Sequence, residues 1–139
     1  MGNSITLHKL NYEDMQQVCS KKSDYIIINT LPENEQDYLI LNTIPSNAEE
    51  TTINYYINNN KEIKIIIYGK NSNDNSIYEK GKQLISLGFI NVYIYPGGLF
   101  EWSILQELYD IENFPTNKKN SDCLQHKPRQ VLNIQYITN

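Results

Sequence analysis

Three stretches of this chain, DYIIINT, EIKIIIY and NVYIY, carry nearly uninterrupted apolar runs of strand length. A strand with one face in water alternates apolar and polar residues. A continuous run needs cover on both faces, as in a parallel sheet held between layers of helices. The intervening segments carry helix signals. Asn11 stands where it caps a helix reaching Cys19, with Asp14 in the first turn and Met15, Val18 and Cys19 on one face. Pro45, Ser46 and Glu49 form a capping-box pattern that opens a second helix, turning Ile53, Tyr56 and Ile57 inward before the run Asn58, Asn59, Asn60 frays it. Ser76 and Glu79 repeat the pattern. The third helix is therefore expected to start at Ile77, to present Gly81, Leu84 and Ile85 to the sheet, and to end on Gly88 as a left-handed cap. Pro96, Gly97 and Gly98 turn the chain into LFEWSILQELY, a broadly apolar helix. With SITLHKL and YLILN as weaker strand candidates, the alternation predicts an α/β, doubly wound domain: a central parallel sheet of about five strands with helices on both faces.

Composition narrows the rest. The 139 residues, 40% hydrophobic, suit one domain over residues 1–114 and a polar tail over 115–139. In that tail NKKNSDCLQHKPRQ gives way to the alternating VLNIQYI, a pattern suited to an added edge strand or to contact between two copies in a homodimer. A net charge of -4 offers no broad basic surface, so nucleic acid is not an expected partner. The two cysteines, Cys19 and Cys123, form no CxxC pair and no disulfide framework, which fits a reducing, cytoplasmic setting. No apolar run approaches the roughly 18 residues of a membrane span, and no signal-peptide core is expected at the start. His8 and His126 are isolated, without ligand-like spacing, so no metal site is expected. The pattern calls for no cofactor either.

The chemistry of such a fold belongs at the end of a central strand, where EIKIIIY runs into the loop GKNSNDNS. From Ile63 to Trp102, the order strand, polar loop, helix and then LGFINVYIYPGGLFEW resembles the C-terminal half of a rhodanese-like domain. From Ile5 to Ile57 the likeness is one of topology, and the tail lies outside it. The resemblance implies a sulfurtransferase scaffold, in which a cysteine thiolate takes up sulfane sulfur as a persulfide while loop amides, an arginine and a helix N-terminus stabilise the anion. Here the position matching that cysteine is Gly69. The loop arginine is missing, the loop is somewhat longer than the family's, and the aspartate that commonly ends the second strand is matched by Asn29.

The resemblance thus implies a pseudoenzyme with no catalytic residue, its vestigial loop formed by Gly69, Lys70, Asn71, Ser72, Asn73, Asp74, Asn75 and Ser76. Ser72 has no adjacent base, and a serine adduct does not replace a persulfide. Lys70 is expected to be a solvated surface charge. Asp74, just before the helix, is placed to occupy the positive pole that a substrate anion would need, so the loop is expected to plug its own pocket. Trp102 and Tyr95 are expected in the core and pocket wall, Pro96, Gly97 and Gly98 at the loop mouth, and Cys123 as a free tail thiol. The implied function is a module that binds a partner protein. The alternative is an active sulfurtransferase or phosphatase-like enzyme using an unrecognised residue such as Cys123 or Lys70. At the other end, MGNSIT satisfies the N-myristoylation pattern, which implies weak, peripheral membrane attachment through Gly2.

Overall fold

The computed structural model describes residues 7–119 and 122–132. Elements alternate along the chain: β1 (His8–Lys9), α1 (Tyr12–Ser20), β2 (Tyr25–Asn29), β3 (Thr43–Ile44), α2 (Ser46–Asn59), β4 (Lys64–Tyr68), α3 (Ser76–Ser86), β5 (Val92–Tyr95) and α4 (Gly98–Leu108). A 3-10 turn, Glu33–Glu35, precedes β3. The sheet has five strands in the order β1-β5-β4-β2-β3, and its pairings are parallel. Ile26 pairs with Ile65 and Ile27 with Ile66, so the isoleucines of neighbouring strands lie side by side.

The continuous runs have the cause expected of them. Ile26, Ile28, Ile65 and Ile67 point to one face and pack with Ile53 of α2 and with Ile77 and Leu84 of α3. Their neighbours Ile27, Ile66 and Tyr68 point to the other, against Met15 and Val18 of α1 and Leu99 and Trp102 of α4. Ile65, Ile66 and Ile67 are completely buried. Each such side chain contributes about 1.5–3 kcal/mol relative to an exposed one, so β4 is the hydrophobic axis of the domain.

The helix signals were met in part. Asn11 and Asp14 cap α1 reciprocally: Asn11 Oδ1 accepts from the Asp14 amide (2.9 Å) and Asp14 Oδ2 from the Asn11 amide (3.1 Å). Gly88 ends α3 at φ 103°, with its amide on the Ile85 carbonyl and the Phe89 amide on that of Leu84, the paired bonds of a Schellman cap. Helix α2 begins at Ser46 but without the expected box. The Ser46 amide is taken by Gln36 Oε1 (3.0 Å), and Glu49 is drawn across to Lys80 Nζ (2.6 Å).

YLILN is not a strand of the sheet; the edge strand is the following Thr43–Ile44. Asn42, at φ 70°, breaks the extended backbone there. Tyr38, Leu39 and Ile40 are instead buried between the body and the segment after Phe114. Ile40 forms an antiparallel bridge with Thr116, the Leu41 amide donates to the Pro115 carbonyl (3.0 Å), and the Asn117 amide donates to that of Leu39 (3.0 Å). The polar segment therefore begins by packing on the body. Most of VLNIQYI, like MGNSIT and Gly2, lies outside the described residues.

Candidate functional site

β4 ends at Tyr68, and the chain turns away from the sheet at Gly69. The carboxylate of Asp74 reaches back across the loop, its Oδ2 accepting from the Lys70 amide (3.1 Å) and its Oδ1 from the Ser76 amide (3.0 Å) and the Ser76 hydroxyl. Asn71 forms a second small turn, its side-chain oxygen accepting from the Asn73 amide (3.0 Å) and its carbonyl from the Asp74 amide (3.1 Å). The amides of Lys70, Asn73, Asp74 and Ser76 are thus bonded to groups of the loop itself and do not point freely at an anion.

This corrects the expected cap of α3. The helix begins at Ser76 rather than Ile77, and no side chain of the residue preceding it caps it. Asp74, two residues before the helix, supplies the oxygen for the first amide. Ser76 turns its hydroxyl towards Asp74 and Thr30 Oγ1 (2.8 Å) instead of towards its own helix. A carboxylate at the positive end of a helix is the favourable arrangement, and here it is covalently part of the loop.

Gly69 has little room for anything larger. A Cβ built on it would collide with the Asp74 carboxylate and come within 2.8 Å of Thr30 Oγ1. The side chain of Asp74 therefore stands in the space that a nucleophile at this position would need. From the opposite side, α4 closes on the same backbone: the Leu99 amide donates to the Gly69 carbonyl (3.0 Å) and the Phe100 amide to that of Lys70 (2.9 Å). Gly98 permits this approach, since at φ 67° its own Cβ would lie 2.7 Å from the Gly69 oxygen.

The other predicted residues divide clearly. Lys70 is not a free surface charge but pairs with Glu35 at 3.3 Å. Ser72 is exposed. Asn29 is buried and forms a reciprocal amide pair with Gln36 (3.0 and 2.9 Å), adding a bond to the Ile44 carbonyl. Trp102 and Tyr95 are core residues in edge-to-face contact, with the indole N–H on the Pro115 carbonyl (3.0 Å). Tyr95 donates to Glu101 (2.6 Å), and burial together with that carboxylate pushes its phenol pKa up. Beside the loop, a cleft of about 350 Å³ lies between the starts of α2 and α3, lined by Thr30, Ser46, Ser76, Glu49 and Lys80. Its Lys80 and Glu49 are already paired with each other.

Of the cysteines, Cys19 sits at the end of α1 with its thiol directed to the Leu41 carbonyl (3.9 Å). Burial pushes its pKa up to about 12, so it stays protonated at neutral pH and is a poor nucleophile. Cys123 is half-buried in the tail turn. No group of three or more His, Cys, Asp or Glu side chains suited to a metal is found among the described residues.

Sequence reasoning missed what covers the loop. His126, read as an isolated histidine, is buried: its carbonyl accepts from Asn71 Nδ2 (2.9 Å), its ring stacks on Tyr38 (centroids 6.1 Å apart), and its Nε2 is 3.9 Å from Glu35 Oε1. Glu35 thereby faces both Lys70 and His126. Nothing in the local pattern of LQHKP distinguishes this histidine from a solvated one.

Comparison with known proteins places the fold. The family model described as Rhodanese-like domain matches residues 21–105, well over half the chain, and the protein belongs to that family. Among solved structures it is similar to the rhodanese-like domain of the Alr3790 protein from Anabaena sp., at 16% identity and a TM-score of 0.55 over 96% of this chain and 94% of that one. It is also similar to the BH2092 protein from Bacillus halodurans (20% identity, TM-score 0.58, 71% and 73% covered). An uncharacterised protein from Saccharomyces cerevisiae is similar too, at 15% identity and a TM-score of 0.57 over 74% and 96%. At these identities the likeness concerns the fold. The search of curated proteins found no match. No described helix is long and apolar enough to cross a membrane.

Proposed function

We propose that the chain is a rhodanese-like pseudoenzyme that carries out no sulfur transfer and acts by binding a partner protein. The observation that carries this reading is the Gly69–Asp74 pair: the nucleophile position holds no side chain, and a carboxylate fills the adjoining space. A negative charge fixed there opposes both a thiolate and a thiosulfate dianion, and it already holds the amides of Lys70 and Ser76 that would offset the repulsion. A loop folded on its own hydrogen bonds and lacking a nucleophile is suited to recognition. A cytoplasmic setting, with peripheral membrane attachment through a myristoylated Gly2, belongs to the same proposal.

The test is transfer of sulfur from thiosulfate to cyanide by the purified chain, with intact-mass analysis for a persulfide. No turnover above buffer and no added sulfur are expected. Cys123, on the turn that covers the loop, supports the competing reading of an enzyme with a displaced nucleophile. Turnover that disappears in Cys123→Ser would establish that alternative.

A further inference from the structure

The tail turn over the loop is closed on itself. The Leu124 amide donates to Asp122 Oδ1 (3.0 Å), the Gln125 amide to the Asp122 carbonyl (3.2 Å) and the Lys127 amide to the Leu124 carbonyl (3.1 Å). Leu124 is half exposed, while the His126 side chain is 3% exposed. The turn therefore inserts one ring into the body and leaves its aliphatic residue in water. The seat it enters is held from beneath: Tyr38 OH accepts from Ser103 Oγ (3.1 Å) and donates to Gln106 Oε1 (3.3 Å). Asn71 is fixed by its bond to the Asn73 amide, and Lys70 by Glu35. These supports come from the body, so the seat does not depend on the turn for its shape.

The fit between turn and seat is imperfect. His126 Nδ1 is buried without a hydrogen-bond partner among the described residues, and its Nε2 stops 3.9 Å short of Glu35. An unpaired buried ring nitrogen opposes docking, because it gave up water and gained nothing in return. A ligand with the same ring and carbonyl but no orphaned nitrogen would sit better in the same place.

We propose that Tyr38, Glu35, Lys70 and Asn71 form the partner-binding seat of this module. Its ligand is a short peptide turn of another protein that lays a planar side chain on Tyr38 and offers a main-chain carbonyl to Asn71, and residues 122–127 are an internal competitor for it. This rests on the reading of the chain as a binding module. An attached competitor acts at a high effective concentration, on the order of millimolar for short connections, so it screens out weak ligands.

The probe is a fluorescein-labelled peptide of residues 122–130 with serine at the cysteine position, added to the full-length chain and read by anisotropy. Wild type should bind it weakly. A His126→Gly chain, folded by circular dichroism, should bind at least tenfold more tightly. That gain should disappear when Tyr38→Ala or Asn71→Ala is added, or when the peptide's own histidine is replaced by alanine, and should survive its replacement by phenylalanine. Equal binding by wild type and His126→Gly would overturn the proposal. So would a gain indifferent to Tyr38 and Asn71, or concentration-dependent dimerisation, which would make a second copy the occupant. As a check that needs no variant, millimolar peptide with phenylalanine in place of its histidine should shift the Asn71 side-chain amide resonance of wild type, because a different ring then lies on Tyr38 beside that bond; no shift overturns the proposal. Peptide binding together with sulfur transfer would leave the seat standing and remove the pseudoenzyme reading. Absence of both would remove the seat alone.

Discussion

Helices α1 and α3 both start by handing a backbone amide to a side-chain oxygen, yet they do so over different distances and with different consequences. At α1 the bond is local and reciprocal: Asn11 and Asp14 exchange bonds at the exposed surface and touch nothing else that matters to the fold. At α3 the oxygen belongs to Asp74, which also holds the Lys70 amide at the far side of the loop and stands against Gly69. One arrangement secures a helix. The other secures a helix, the shape of a loop and the closure of a pocket with a single carboxylate, and so couples the three.

The largest expected effect therefore lies at Asp74. Asp74→Ala should cost about 3 kcal/mol, since hydrogen bonds to charged groups contribute about 1.5–3 kcal/mol each and water replaces part of the loss at this half-buried site. The check is the urea midpoint at unchanged slope. A cost no greater than that of Asn11→Ala would mean that the loop does not depend on its carboxylate, and would break the comparison. Next comes Gly69→Cys, which drives a Cβ into the Asp74 carboxylate and should cost about 2 kcal/mol as an overpacking substitution, with no sulfurtransferase turnover gained. Combining it with Asp74→Ala should cost clearly less than the sum of the two, because the second change removes what the first collides with. Strict additivity would show that the two side chains do not compete for one space.

The same contrast explains what could be read from sequence. β2, β4 and β5 were legible because burial on both faces writes itself as an unbroken apolar run, and the Asn11 cap because its partner is three residues away. β1 falls within SITLHKL, whose loose alternation marks a strand candidate, whereas β3 has two residues, too few for any period to show. In YLILN the apolar character was read correctly but its cause was not, since those residues are buried by the segment at Thr116 and not by a strand pairing in the sheet. At the site, a glycine at position 69 and a carboxylate beside the start of α3 could be read from residue type and position. The cap pattern Ser76 to Glu79 misled, because the helix takes in Ser76 itself and the Asp74 carboxylate, two residues away, holds the amide that Glu79 would have had to reach. The cover was illegible: Asn71 and His126 are 55 residues apart, joined through a side-chain amide and a main-chain carbonyl. Any residue type carries that carbonyl.

Smaller effects are expected where the bonds are local. Asn11→Ala should cost about 1 kcal/mol, the usual loss for an N-cap, and should leave the loop untouched. Amide exchange of Lys70 and Ser76 should match wild type in this variant; a change would mean that the two helix starts communicate through the sheet.

The smallest effect, and the one that separates the two regions without a mutation, is that of pH on the cover. Burial pushes the pKa of His126 below its ordinary value of 6.5. The groups facing it divide, with Glu35 and Asp122 favouring the proton and Lys70 opposing it, while Tyr38 offers a neutral ring face. Because the docked imidazole binds a proton less readily than the free one, docking has its full strength above pH 6.5 and weakens as pH falls from there towards the lowered value. Below both values the loss levels off, since either state then carries the proton. Unperturbed carboxylates titrate near 4, so comparing pH 7.5 with pH 5.5 keeps the change on imidazole. Amide exchange at Leu124, Gln125 and Lys127, corrected for its intrinsic pH dependence, should accelerate several-fold at the lower pH while protection of α1 stays constant. A His126→Gln chain, which retains His8 but cannot titrate at the seat, should show no such acceleration. Equal acceleration in that chain would place the titrating group elsewhere and leave the cover over the loop indifferent to protons.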